Sequence, residues 1–186
     1  MKKIKNLEMI VEIPQGSSNK YEYDELTKIW KLDRVLSGAM FYPGEYGFIS
    51  ETLDYDGDPL DVICLTNFPT FSGCYLPIRI IGVLKMIDGG EEDDKLLAVN
   101  AVESRLNNLN NLEDINKNKL DEISNFFLRY KELENKKVII HGFKGKIEAK
   151  KVLVNCQKLY QKNKHLLVKE IDKKELVKKL QLEKSK

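Results

Sequence analysis

Six residues, Asp56-Gly57-Asp58-Pro59-Leu60-Asp61, place the tightest constraint on this chain. Three carboxylates so close together repel one another. Gly57 turns the backbone and Pro59 stiffens it and removes a donor, so the stretch suits neither a helix interior nor a packed core. Something cationic must gather such side chains if they serve a site. Oxygen-only donors call for a hard divalent ion. Magnesium ordinarily takes one or two protein carboxylates alongside waters and substrate phosphates, so three carboxylates imply shared or multiple ions. The alternative is a solvated acidic turn.

The rest of the chain narrows that choice. At 186 residues, with 42% hydrophobic and 32% charged, it has the size and make-up of one globular domain with a real core. The net charge of +2 is unevenly spread: His165 to Lys186 holds seven lysines against four acids, so residues 1–164 sum to −1. A nucleic-acid groove needs the opposite balance, so neither DNA nor RNA is an expected partner. The basic start at Met1-Lys2-Lys3 leads into Leu7–Ile13 with Glu8 and Glu12 inside it, which is no signal-peptide core or membrane span. A cytoplasmic protein is therefore expected, with no membrane partner. Cys64, Cys74 and Cys156 lack paired spacing and read as reduced thiols.

Period-two alternation marks strands at Leu7–Ile13, Lys20–Asp24, Ile29–Leu36 and Leu76–Asp88, and Leu96–Val99 and Lys136–Phe143 also read as strands. The first places Glu12 opposite the apolar face. The second and third pair across a turn near Leu26-Thr27, with Lys20, Glu22 and Asp24 on one face. The fourth sets Ile78, Ile80, Gly82, Leu84 and Met86 on its even positions, a series that ends with Asp88 at the strand exit. Met40–Ile49, with aromatics among two glycines and a proline, reads as an ordered loop. Helical spacing of Leu120, Ile123, Phe127, Tyr130 and Leu133 predicts a helix ending near Glu134-Asn135, and Ala149 to Tyr160 predicts a second. Leu167, Ile171, Leu176 and Leu180 mark a weaker pattern in the Lys-rich tail, expected as a frayed or packed terminal helix. Short strands followed by two main helices argue an α+β fold around a small barrel, with residues 1–164 as a single domain and 165–186 as an extension.

Glu12, Glu22, Asp56, Asp58, Asp61, Asp88 and Asp93 stand against Lys20, Arg34, Lys95 and Lys131, a net of three negative charges. Carboxylates alone typify calcium sites, and Lys and Arg alone typify phosphate grips. The mixture points to metal-assisted phosphoryl chemistry, in which activated water attacks phosphorus in line while Lys, Arg and Tyr donors hold the departing phosphate. An EF-hand beginning at Asp54 fails at Pro59 and Leu65, where Gly and Glu are required. No phosphate-binding loop of the G-x-x-x-x-G-K-[ST] type is present. His141 and His165 are the only histidines, too few for a His-based hydrolase or zinc site, and His141 reads as a plain strand residue.

These blocks resemble the soluble family I inorganic pyrophosphatases. Asp56 to Val62 matches the family's acidic signature at every position. Glu12-Ile13-Pro14, Lys20-Tyr21-Glu22, Asp33-Arg34, the Phe41 to Gly47 loop, Gly82 to Asp88, Asp93 with Lys95, and Phe126 to Lys131 follow in order. The resemblance covers about residues 7–160. It implies a closed five-stranded OB-like barrel flanked by two helices, acting on pyrophosphate. Asp56, Asp61, Asp88 and Asp93 become metal ligands, with Asp61 and Asp93 shared between ions, and Asp58 the general base. Lys20, Arg34, Tyr46, Lys95, Tyr130 and Lys131 become phosphate ligands, with Glu12, Glu22 and Tyr42 in support. A pyrophosphate of roughly −3 to −4 charge entering an acidic pocket calls for about three or four Mg²⁺ ions. The resemblance also implies a homo-oligomer, with a hexamer favoured by the chain's length. Glu45 stands where the family commonly carries Asn, which is expected to place a negative charge beside Tyr46. The alternatives are an OB-type nucleic-acid-binding module and a metal-dependent nucleotide pyrophosphohydrolase.

Overall fold

A computed structural model describes residues 7–24, 27–167 and 172–184. Met1–Asn6, Leu26 of the expected turn and Ile171 of the expected tail pattern lie outside the described residues. In chain order the strands are β1 (Glu8–Ile13), β2 (Asn19–Asp24), β3 (Ile29–Val35), β4 (Glu45–Phe48), β5 (Asp61–Leu65), β6 (Tyr75–Asp88), β7 (Glu91–Glu92) and β8 (Lys95–Asn100). Helix α1 (Lys117–Arg129), strand β9 (Val138–Gly145) and helices α2 (Lys146–Leu167) and α3 (Lys173–Lys184) complete them.

Five strands hydrogen-bond in a ring, β1 to β4 to β5 to β8 to β6, and β6 returns to β1 through Glu8–Ile10 opposite Tyr75–Pro77. The α+β, OB-like reading therefore holds. β6 is long enough, at 14 residues, to pair with β1 at one end and with β7 and β9 at the other. β2 and β3 form a separate two-stranded ribbon.

β5 and β8 are the parallel pair. Both are apolar over several consecutive residues, as strands covered on both faces must be. Alternation then sorts their side chains. Ile63 and Leu97 join Ile13, Ile81, Leu84, Phe126 and Phe127 beneath α1, whereas Val62, Cys64, Leu96 and Ala98 join Met9, Val11 and Val83 against Ala149 and Cys156 of α2. The three cysteines are free thiols.

Three expectations need correction. Within Met40–Ile49 the chain forms strand β4, whose Gly47 runs so close to β1 that a Cβ there would sit 1.9 Å from the Ile10 carbonyl oxygen. In β6 the pairing with β8 slips between Ile80 and Gly82, so Ile81 is fully buried and Ile80 is only partly covered. A bulge of this kind breaks strict alternation. The first helix stops at Arg129 instead of Glu134. A 3₁₀ turn over Glu132–Glu134 follows it, Asn135 adopts a left-handed conformation at φ 57°, and Leu133 is left 69% exposed. That early stop sets Tyr130 and Lys131 side by side.

Candidate active site

The parallel pairing of β5 with β8 brings their first residues level. The Asp61 carboxylate accepts from Lys95 Nζ at 2.5 Å and from the Tyr46 hydroxyl of β4 at 2.6 Å, and the same ammonium also donates to Asp93. Lys95 is only 2% exposed. Burial pulls its affinity for a proton down, but Asp61 and Asp93 outweigh that and hold it well above the ordinary lysine range. Burial, reinforced by Asp61, keeps the Tyr46 hydroxyl protonated and hence a donor.

Asp88 leaves β6 beside this group. It accepts from the Tyr130 hydroxyl at 2.8 Å and from Lys131, the two residues set side by side where α1 ends. Partial burial raises Asp88, but these two donors bring it below the usual carboxylate range. Tyr42, Tyr46, Phe126, Phe127 and Tyr130 form the floor, with neighbouring ring centroids 4.7–6.1 Å apart. An apolar floor of this kind lowers the local dielectric and strengthens each charge interaction above it.

The acidic turn is held by its own backbone. Asp58 N–H donates to Asp56 Oδ1 at 3.0 Å, Asp54 N–H to the Asp58 carbonyl at 2.7 Å, and Gly57, at φ +87°, donates to the Asp54 carbonyl. Burial, and next the charge of Asp58, pushes Asp56 up to about 8, and burial likewise raises Asp93. Glu12 is pushed up to about 8 by burial and by the nearby Asp61. Burial comes first in each of these shifts, and neighbouring carboxylates add to it. The donors are all oxygens, the set a hard dication accepts. Among the described residues no three acidic side chains already close on one point. Lys95 lies between Asp61 and Asp93, and Lys131 pairs with Asp88.

The ribbon supplies the remaining residues. Lys20 pairs with Glu22 and donates to Asp33 at 3.1 Å, Arg34 Nη1 donates to the same Asp33 oxygen at 3.1 Å, and Arg34 Nε lies 3.2 Å from Glu134 Oε1. The charges of Lys20 and Glu22 act on Glu12, and those of Arg34, Asp61 and Lys95 act on Tyr42, which joins the ribbon to the centre. The ribbon thus reaches the centre through Glu12 and Tyr42. Asp58 is the outlier: half-exposed at the rim, it faces Lys173 of α3, whose Nζ lies 2.6 and 2.5 Å from its two oxygens.

Glu45 corrects an expectation. It is fully buried and accepts from the backbone and hydroxyl of Thr70 at 2.8 and 2.9 Å. Alternation along β4 turns it away from Tyr46, so it adds no charge to the site. Asp33, Asp54, Glu134 and Lys173 were not foreseen. Asp33 had a signal in its place beside Arg34 on a strand, while Glu134 and Lys173 are brought in by a turn and by a distant helix. The Asp94 carboxylate accepts from Lys85, which leaves Asp93 to face Lys95.

Residues 9–161 match the family described as inorganic pyrophosphatase. The inorganic pyrophosphatase of Halalkalibacterium halodurans is 49% identical over 157 residues, covering 84% of this chain and 96% of that protein. That of Geobacillus stearothermophilus is 46% identical over 160 residues, covering 86% and 97%. Among solved structures, the inorganic pyrophosphatase of Thermus thermophilus superposes with a TM-score of 0.82 at 39% identity, covering 87% of this chain and 94% of that one.

Proposed function

This chain belongs to the inorganic pyrophosphatase family, hydrolases that act on pyrophosphate, and on that premise we propose a magnesium-dependent cleavage in which Asp58 is the general base. Asp56, Asp61, Asp88 and Asp93 would hold the ions, about three or four in number by the charge balance of the pocket. Bound magnesium would acidify a water molecule and offset the charge of the diphosphate. Asp58, with no buried partner and its oxygens at the rim, takes the water proton as the new P–O bond forms. Lys20, Arg34, Tyr46, Lys95, Tyr130 and Lys131 bind phosphoryl oxygens, and as the bridging P–O bond breaks they stabilise the leaving phosphate. Glu12, Glu22 and Tyr42 orient these donors.

The observation that carries this reading is the convergence of Asp61, Asp93 and Lys95 with Asp88, Tyr130 and Lys131, drawn from β5, β6, β8, the hairpin between them and the end of α1. We assign residues 1–164 to the catalytic unit and place the working enzyme in the cytoplasm as a homo-oligomer, a hexamer by preference. Among the described residues no helix is long and apolar enough to cross a membrane. Exposed Phe68, Phe71, Tyr75 and Val102 offer apolar surface for self-assembly. The test is phosphate release from pyrophosphate and from ATP, with and without Mg²⁺. Metal-dependent release from pyrophosphate alone is expected. Equal turnover of ATP, or none of pyrophosphate, overturns the reading.

A further inference from the structure

Helix α3 lies beyond the matched residues, yet it is anchored over both acidic segments of the site. Leu176 and Leu180 are 3% and 0% exposed, packed with Leu53 and Leu159. Gln181 Nε2 donates to the Tyr55 carbonyl at 3.3 Å, one residue before Asp56. At its C-terminal end Lys184 reaches Glu92 of the β6–β8 hairpin at 2.6 Å and lies over the Tyr55 ring. At its N-terminal end the Asp172 carboxylate accepts from the backbone N–H groups of Lys174 and Glu175 at 3.0 and 3.3 Å, which fixes Lys173 as the first helical residue. A cation there opposes the helix dipole, so it does not serve the helix itself. Its ammonium instead lies on both oxygens of Asp58, with Asp56 and Glu22 also within its electrostatic reach.

We propose that α3 is a self-docked strap whose Lys173 competes with incoming magnesium for the acidic turn at Asp58, so that this chain carries its own brake on metal loading. The inference rests on the site assignment above. The anchored helix holds the Lys173 backbone at the turn, so only side-chain freedom is spent in making the pair, and a dication approaching Asp56 must either repel the ammonium or displace it. Linkage makes the effect reciprocal: magnesium loosens the strap by the factor by which the strap weakens magnesium.

The experiment uses the full chain as wild type, Lys173→Ala and Lys173→Arg. Mg²⁺ binding is measured by titration calorimetry without pyrophosphate, and the Mg²⁺ concentration for half-maximal hydrolysis is measured beside it. We expect Lys173→Ala to bind Mg²⁺ about two- to fivefold more tightly, the range set by a partly exposed ion pair, and to need correspondingly less of it for activity. Lys173→Arg retains the wild-type values. In the wild type, trypsin releases the tail faster in saturating Mg²⁺ than in chelator. Equal or weaker Mg²⁺ binding by Lys173→Ala, or tail cleavage indifferent to Mg²⁺, overturns the proposal. A wild type that fails to hydrolyse pyrophosphate overturns the site assignment instead, so the two failures are told apart.

Discussion

Replacing Lys95 with Met keeps the volume of a buried side chain and deletes its charge, which isolates the electrostatic role of the residue at the centre of the site. Lys95 is 2% exposed and serves two carboxylates, Asp61 and Asp93. Breaking a buried ion pair by removing one partner costs about 3–5 kcal/mol, because the surviving charge is left uncompensated. For a chain of this size each kcal/mol moves Tm by about 2–4 °C, so the loss is roughly 6–20 °C. The pH dependence gives the sharper signature. Asp93 is already raised by burial above the value near 3.9 of an unfolded carboxyl. Above that unfolded value the folded state holds more protons than the unfolded one, so stability falls as pH rises. Removing Lys95 takes away the charge that lowers Asp93 and so raises that acid further, so the penalty should be largest near pH 8 and shrink toward pH 5. The ammonium itself is raised above its ordinary value and contributes fully at any pH below about 10.4, so it adds no slope in that window. Urea unfolding of both proteins in chelator at pH 5 and pH 8 makes the measurement. A loss below 1 kcal/mol at pH 8, or one equal at the two pH values, refutes the view of Lys95 as the counter-charge of this pocket.

Asp58→Asn should retain the fold, since the side chain is half-exposed, and lower kcat by about two to four orders of magnitude; near-normal Mg²⁺-dependent phosphate release would remove Asp58 from its role. Glu134→Gln leaves Arg34 Nε without its counter-charge and should raise KM for pyrophosphate more than it lowers kcat, which steady-state kinetics over a range of pyrophosphate resolves. Glu45→Gln keeps one of the two acceptors facing Thr70, and should cost about 1 kcal/mol in urea unfolding while leaving KM within about twofold.

Much of the site was legible because its chemistry is local in sequence. The turn at Asp56 to Asp61, the Asp93-x-Lys95 pair and the adjacent Tyr130 and Lys131 can each be read within a few residues, and Asp88 follows from where an alternating strand must end. Ring closure was reached through resemblance, because the pairing of β1 with β6 joins segments about seventy residues apart and leaves no local mark. Glu45 was misjudged because proximity along a strand is not proximity in space: neighbours on a strand face opposite sides. Glu134 depends on a helix stopping five residues early, which the apolar period concealed by running on to Leu133. Lys173 is one lysine among many in a tail whose pattern says helix but does not say where the helix lands.

Because β5 and β8 run in the same direction, the acid and the ammonium that open them share a row whatever the length of the loop that leaves β5. The loop between Leu65 and Tyr75 can lengthen or shorten while that row persists, whereas β6 and the spacing of Asp93 from Lys95 cannot. Adding or removing a single residue inside either strand would instead turn one of the two partners to the opposite side of the sheet. Insertions in the loop after β5 should therefore be tolerated in a way that insertions within the strands are not.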